Sequence, residues 1–219
     1  MGIVVPRSEA KTLRKLGGWI LIYGRRKTGK SFIVRNFLEY NEYYFVSRSR
    51  RVYELIGGIF KPVARDVFLD RIQRGLREEK TIVIDEFHRL SEDFQDLLHA
   101  AKPRAKAQLL LITSSLFFAE KIIGPRSPLL GIVIPFRIDT IRPCDIIRAL
   151  ANYVREPHQL IKISLFAREP LLLGLVQENI RFGSFLEKML IGLKDIVPAL
   201  IGEIFFDESR EITERYEAI

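Results

Sequence analysis

The stretch Ile22-Tyr23-Gly24-Arg25-Arg26-Lys27-Thr28-Gly29-Lys30-Ser31 decides how the whole chain is read. Two glycines frame four residues, and a lysine and a serine follow. Ahead of it, Trp19–Tyr23 is a short apolar run rich in aromatic and β-branched residues, the composition of a buried strand. Behind it, Phe32, Ile33, Val34, Phe37 and Leu38 fall at helical spacing between Lys30 and Tyr40. The stretch is therefore a strand–loop–helix junction, and it matches G-x-x-x-x-G-K-[ST] residue for residue. Glycines let such a loop turn tightly and bring its N–H groups close to phosphate oxygens, and the helix that follows points its positive end at the same anion. The pattern predicts a nucleotide-binding loop over Gly24, Arg25, Arg26, Lys27, Thr28, Gly29, Lys30 and Ser31. Lys30 would neutralise the β- and γ-phosphates of ATP, and the Ser31 hydroxyl would bind Mg²⁺. Backbone amides do the cradling, so the Arg25, Arg26 and Lys27 side chains are expected outside the loop.

A second apolar run, Thr81–Asp85 (TIVID), ends in acid. In parallel sheets, ligands bind at the C-terminal strand ends, where this run delivers Asp85 and Glu86. Asp85 would hold Mg²⁺ through water, and Glu86 would act as general base on the attacking water. A further run, Gln108–Thr113 (QLLLIT), is followed by Ser114 and Ser115. Either Ser114 lies between loop and acids, sensing the γ-phosphate or positioning water, or these hydroxyls cap the helix that starts at Leu116.

The remaining pattern gives strands at Glu42–Val46 and Gly131–Phe136. Helices are expected over Val52–Ile59 and Val63–Arg77, and after Ser91 as N-cap. Beyond Pro143 strand-like runs stop, and helices are expected over Asp145–Val154, Gln159–Ala167, Leu171–Asn179, Phe185–Leu190, Asp195–Ile204 and from Arg210 on. Strands alternating with helices predict an α/β, P-loop NTPase-type fold: a five-stranded parallel sheet with helices on both faces, followed by a helical lid. The expected division is residues 1–142 for the sheet domain and 143–219 for the lid.

The chain has 219 residues, a net charge of +8 and a single cysteine, Cys144, so no intrachain disulfide can form. His88, His99 and His158 show no metal-ligand spacing, and no structural zinc is expected. The longest uncharged stretch, Ala107–Ala119, is too short to span a bilayer, and the N-terminus lacks a signal-peptide pattern, which points to a cytoplasmic location. The basic balance favours polyanionic partners. Arg48-Arg50-Arg51 and Lys102-Arg104-Lys106 are the candidate patches for nucleic acid or a protein partner, and otherwise are solvated loops.

GRRKTGKS, VIDEFHRL with its DLLHA helix, and LLLITSS followed by SPLLG together resemble the archaeal ATPase family, in the STAND branch of AAA-type P-loop ATPases. Arg7 and Glu9 ahead of Leu13 resemble that family's N-terminal signature near the adenine, and Arg142–Leu150 resembles the entry to its helical lid. The resemblance implies an extra strand between the strand before the phosphate loop and the strand bearing the acids. An oligomer is left as an available state. Three departures stand out. Ile132 occupies a position where the family usually has a nucleotide-sensing arginine, a role left to Arg126 or Arg137. Ala167-Arg168-Glu169-Pro170 replaces a Gly-Gly-x-Pro lid motif. The sequence ends at Ile219, ahead of where the family continues into a winged helix, as a truncated or minimal member would.

These readings converge on Mg²⁺-dependent ATP binding with slow hydrolysis that acts as a conformational switch. The alternatives are a DNA-associated ATPase, an ATP-binding module with little hydrolysis, and a small-molecule kinase, against which the acid directly after Asp85 argues.

Overall fold

The computed structural model describes residues 3–194. The helices expected at Asp195–Ile204 and from Arg210 lie outside the described residues. In chain order the elements are α1 (Ser8–Lys15), β1 (Trp19–Tyr23), α2 (Lys30–Phe37), β2 (Glu42–Val46), β3 (Val52–Ile56), β4 (Ile59–Val63), α3 (Arg65–Gly75), β5 (Thr81–Asp85), α4 (Glu92–Ala101), β6 (Gln108–Thr113), α5 (Leu116–Ile123), β7 (Ile134–Arg137), α6 (Pro143–Leu150), α7 (Pro157–Ala167) and α8 (Phe182–Leu193). Short 3₁₀ turns cover Phe87–Arg89, Lys102–Arg104 and Pro170–Leu175.

The strands form one seven-stranded sheet in the order β4-β3-β2-β5-β6-β1-β7. From β2 to β7 every neighbouring pair is parallel, which is the predicted five-stranded core. The strand β6 separates β1 from β5, as the family resemblance implies. The sheet is longer than expected because β3 and β4 add an antiparallel hairpin beside β2. The helix expected over Val52–Ile59 is this hairpin. Gly57 and Gly58 make its two-residue turn at φ 57° and 83°, and paired positive φ values match the twist of the flanking strands and break a helix. At the sheet edge, β4 carries Lys61 and Pro62, and proline has no N–H to offer a further strand.

Strand periodicity sorts the core. Trp19 and Leu21, Ile82 and Ile84, and Leu109 and Leu111 face one side, where they meet Phe68 and Ile72 of α3, Phe94 and Leu98 of α4, and Ala119 and Ile122 of α5. The alternate residues Ile20, Ile22, Val83, Leu110 and Ile112 are equally buried on the opposite side, and α2 buries Ile33 and Val34.

By its internal contacts the chain divides into two compact units. One comprises Thr12–Arg25 and Lys30–Ile138, the sheet and its helices. The other comprises the residues up to Lys11, Arg26–Gly29, and the residues from Asp139 on. The second unit has its own apolar core: Ile146 and Leu150 of α6, Ile163 and Ala167 of α7, Leu172, and Phe185 of α8, with Val5 and Ile141. The helix expected over Leu171–Asn179 is instead the 3₁₀ turn Pro170–Leu175. Pro170 opens it, and Leu172 is its buried anchor. No helix among the described residues is long and apolar enough to cross a membrane.

The two glycines of the hairpin turn are the cheapest test of this correction. Gly57→Ala and Gly58→Ala each force a side chain into left-handed backbone, and each should lower unfolding stability by about 1 kcal/mol in a urea titration. A helix at this position would instead be stabilised by alanine.

Candidate functional site

The turn that leaves β1 is built on a close backbone approach. Ile138 N–H donates to Tyr23 O at 2.8 Å. Gly24 sits at φ 146°, and a Cβ added there would lie 2.1 Å from Ile138 O. Only glycine fits. Lys27 and Gly29 also adopt positive φ, 62° and 90°, and left-handed residues alternating along a loop are a feature of anion-binding backbone turns. Arg25 and Lys27 are exposed and Arg26 half-buried, so two of the three basic side chains lie on the outside of the loop.

Lys30 is buried, and its Nζ donates to Gly24 O and Arg25 O, both at 2.8 Å, which folds the ammonium back over the loop. Thr28 is also buried, and its carbonyl accepts a 2.6 Å hydrogen bond from Arg7 Nη1. The same guanidinium is fixed by Glu9 Oε1 at 2.7 Å and Asp139 O at 2.9 Å through Nη2. Arg7 and Glu9 therefore tie the chain's N-terminal segment to the phosphate loop. A Cβ built on Gly29 would lie 3.7 Å from Arg7 Nη1 and 4.0 Å from Pro170 Cγ. The proline retained from the lid motif thus borders the loop. Arg168 is engaged elsewhere, its Nε donating to Ile141 O at 2.9 Å.

Asp85 ends β5 and is only 5% exposed. Its Oδ2 accepts a 2.5 Å hydrogen bond from Tyr43 Oη, and its Oδ1 accepts from Glu86 N at 2.9 Å. Ser31, at the first turn of α2, lies near enough to this carboxylate to act on its charge. Burial raises the Asp85 pKa above the ordinary carboxylate range. The Tyr43 bond and the nearby Ser31 hydroxyl oppose that rise, and the Glu86 charge adds to it. Burial, and then Asp85 itself, push the Tyr43 phenol far up, so it stays a proton donor at neutral pH.

Glu86 stands in left-handed backbone, φ 57°. Its Oε2 accepts from Ser114 Oγ at 2.8 Å, and lies 3.3 Å from His88 Nδ1 and 3.6 Å from Arg89 Nη2. The three hydroxyls that end β6 divide their work. Ser114 faces Glu86, whereas the helix cap on α5 is Ser115, whose Oγ accepts from Phe118 N at 3.1 Å. Thr113 Oγ1 lies 3.0 Å from His88 Nδ1. Ile132 packs against the apolar core, while Arg126 and Arg137 are exposed. Ser91 takes the N-cap position of α4 without capping it, and its Oγ accepts from Arg65 Nη2 at 2.7 Å.

Lys30, Ser31, Asp85, Glu86 and Ser114 thus share the C-terminal edge of the parallel strands. Sequence reasoning missed Tyr43 and His88. A phenol on the strand beside β5 and an imidazole three residues after Asp85 were the available signals, but neither residue type marks a site without the register. The hydroxyl and carboxylate oxygens of Ser31 and Asp85 are hard donors of the kind Mg²⁺ prefers.

A family model for the AAA domain matches residues 17–129. That is more than half of the chain, which belongs to this family and has the fold of an AAA-type P-loop ATPase. The chain is similar in fold to a signal transduction ATPase with numerous domains (STAND) protein with a tetratricopeptide repeat sensor from Pyrococcus horikoshii. The TM-score is 0.56 at 19% identity, covering 89% of this chain and 33% of that one. This chain therefore spans about a third of the STAND protein's length. More distantly it resembles the Holliday junction branch migration motor RuvB of Thermotoga maritima, with TM-score 0.46 and 14% identity over 85% of this chain and 70% of that one. No curated relative matches in sequence.

The Tyr43–Asp85 bond makes a direct prediction. The ¹³C-carboxyl titration of Asp85 should have its midpoint above the ordinary carboxylate range. Tyr43→Phe removes a bond to the charged form and should move that midpoint further up. A raised pKa in the folded chain means that ionising Asp85 costs stability, a cost that appears as pH rises through this midpoint and is relieved as pH falls. An unchanged midpoint in Tyr43→Phe would mean the hydrogen bond is not formed in solution.

Proposed function

We propose that this chain binds Mg²⁺–ATP and hydrolyses it slowly, and that hydrolysis works as a conformational switch rather than as metabolism. The observation that carries the reading is the placing of Lys30 and Ser31, at the start of α2, and of Asp85 and Glu86, at the end of β5, on one edge of the sheet, with Ser31 near the Asp85 carboxylate. Lys30 and the loop amides would bind the triphosphate. Ser31 and Asp85 would hold Mg²⁺, which when bound offsets charge on the phosphates. Glu86 would orient a water and take its proton. Ser114, through its bond to Glu86, would couple that base to the end of β6. Arg7 would act through Thr28, setting the loop's shape. Phosphoryl transfer of this kind is mostly positioning and electrostatics, which a pre-built edge supplies.

The switch role, membership of the archaeal, STAND-type branch, and treatment of residues 143–219 as a lid domain belong to this proposal. Their support is the motif-by-motif resemblance and the fold likeness to the P. horikoshii protein, whose description is that of a signal-transduction ATPase. Pro170 beside Gly29 offers a route by which the loop's ligand state reaches the helical segment. A cytoplasmic setting and an oligomeric state fit the same reading.

Calorimetric titration with ATP and Mg²⁺, paired with phosphate release, tests it. Glu86→Gln should keep ATP affinity while turnover falls about a hundredfold. Lys30→Ala should weaken ATP binding at least tenfold, by about 1.4 kcal/mol or more. Turnover equal to wild type in Glu86→Gln would remove the catalytic assignment, and no heat from the wild type would remove the whole reading.

A second reading is favoured by the turn between β2 and β3, where Arg48, Arg50 and Arg51 are all exposed. It makes the protein a DNA-associated ATPase. Duplex binding that weakens steeply with salt, and weakens uniformly across sequences in Arg50→Ala, is its expected signature.

A further inference from the structure

We propose that His88 is a positioning residue for Glu86: its Nδ1 anchors one oxygen of that carboxylate and leaves the other to meet water. The inference rests on the reading of Glu86 as the water-activating base and names what aims it. Three groups converge on Oε2 of the Glu86 carboxylate: Ser114 Oγ at 2.8 Å, His88 Nδ1 at 3.3 Å and Arg89 Nη2 at 3.6 Å. Oε1 is thereby the oxygen presented for chemistry. A glutamate has free side-chain torsions, and a base works only when its oxygen is held in line with the proton it takes. Anchoring Oε2 removes that freedom.

The anchor is itself anchored. His88 Nδ1 lies 3.0 Å from Thr113 Oγ1, a fully buried hydroxyl that also accepts from Ser115 N at 3.1 Å. The His88 ring packs on Phe118 of α5, with ring centroids 5.9 Å apart. Arg89 is held through Nη1 by Val46 O at 2.9 Å. A neutral imidazole carries one N–H. A lone pair on Nδ1 would point at the carboxylate oxygen, whereas a proton there has the Glu86 and Thr113 oxygens within reach at 3.3 and 3.0 Å, which favours the Nδ1–H tautomer. The end of β6 thus reaches Glu86 by two routes, directly through Ser114 and indirectly from Thr113 through His88.

Three variants of the full chain separate positioning from packing. His88→Phe keeps the ring against Phe118 and removes the N–H. His88→Asn returns an amide N–H close to the Nδ1 position, and His88→Gln places one near Nε2 instead. Phosphate release should show kcat reduced about tenfold in His88→Phe and His88→Gln, with KM for ATP unchanged, and within about twofold of wild type in His88→Asn. Independently of turnover, ¹⁵N spectra of the nucleotide-free protein should show the Nδ1–H tautomer at His88, and Glu86→Leu should reduce its share. Wild-type kcat in His88→Phe, a raised kcat in that variant, rescue by glutamine equal to that by asparagine, or a dominant Nε2–H tautomer in the wild type would each overturn the inference. A wild type that releases no phosphate would remove the assignment of Glu86 as base, and this inference with it. An active wild type beside an unaffected His88→Phe would overturn the inference alone.

Discussion

Two buried charges govern this structure. Lys30 and Asp85 are both nearly inaccessible to water, and a buried ammonium or carboxylate is costly unless the chain hydrogen-bonds it fully. The local architecture meets that demand. Lys30 is satisfied by the carbonyls of Gly24 and Arg25, which requires the loop to curl back over its own exit from β1. Asp85 is satisfied by the Tyr43 phenol from the neighbouring strand and by the Glu86 amide, with the Ser31 hydroxyl of the helix after the loop nearby. The groups that would grip a metal–triphosphate are thus fixed by the same bonds that make their burial tolerable. Such pre-organisation lets electrostatics act without reorganisation at the moment of reaction.

The strand order gives the site its width. Because β6 lies between β1 and β5, the end of β1, where the loop begins, and the acids at the end of β5 stand about two strand spacings apart, roughly 10 Å. The inserted strand ends in that gap, and this explains why it ends in hydroxyls. Thr113, Ser114 and Ser115 each satisfy a different partner: His88, Glu86 and the first turn of α5. An apolar residue at any of the three would remove one of these bonds beside the candidate chemistry.

The parallel core was legible in the sequence because its signals are local and strong: apolar runs of the right length, a glycine-framed loop and an acid pair at a strand end. The hairpin over Val52–Val63 was not read, because Val52, Leu55, Ile56 and Ile59 also suit a helical stripe. The decisive signal was the Gly57-Gly58 pair, whose positive φ values exclude that helix. The 3₁₀ turn at Pro170–Leu175 was missed because a leucine-rich run has no period of its own; Pro170 and the burial of Leu172 shape it instead. Lys30, Ser31, Asp85 and Glu86 could be named from motif spacing alone. Tyr43 could not, because its role depends on the parallel pairing of β2 with β5, where Tyr43 lies opposite Val83 and reaches forward to Asp85. Pairing register is a long-range property that no window of sequence contains.

The left-handed backbone of Glu86 shows which demand prevails at this edge. A non-glycine residue there costs about 1 kcal/mol or more, and glycine would remove that cost. The turn tolerates the strain because the bonds from Arg89 N to Glu86 O and from Leu90 N to Phe87 O close it, and because Phe87 is locked into the core. What the strain accomplishes is direction. By reversing the chain directly after Asp85, it brings Glu86, His88 and Arg89 back toward the ends of β5 and β6, where an extended continuation would have sent them alternately to opposite faces. Under the proposed function, the residue at position 86 is set by its carboxylate and not by its backbone. Strain retained where a smaller residue would relax it is the pattern expected of a group kept for its chemistry.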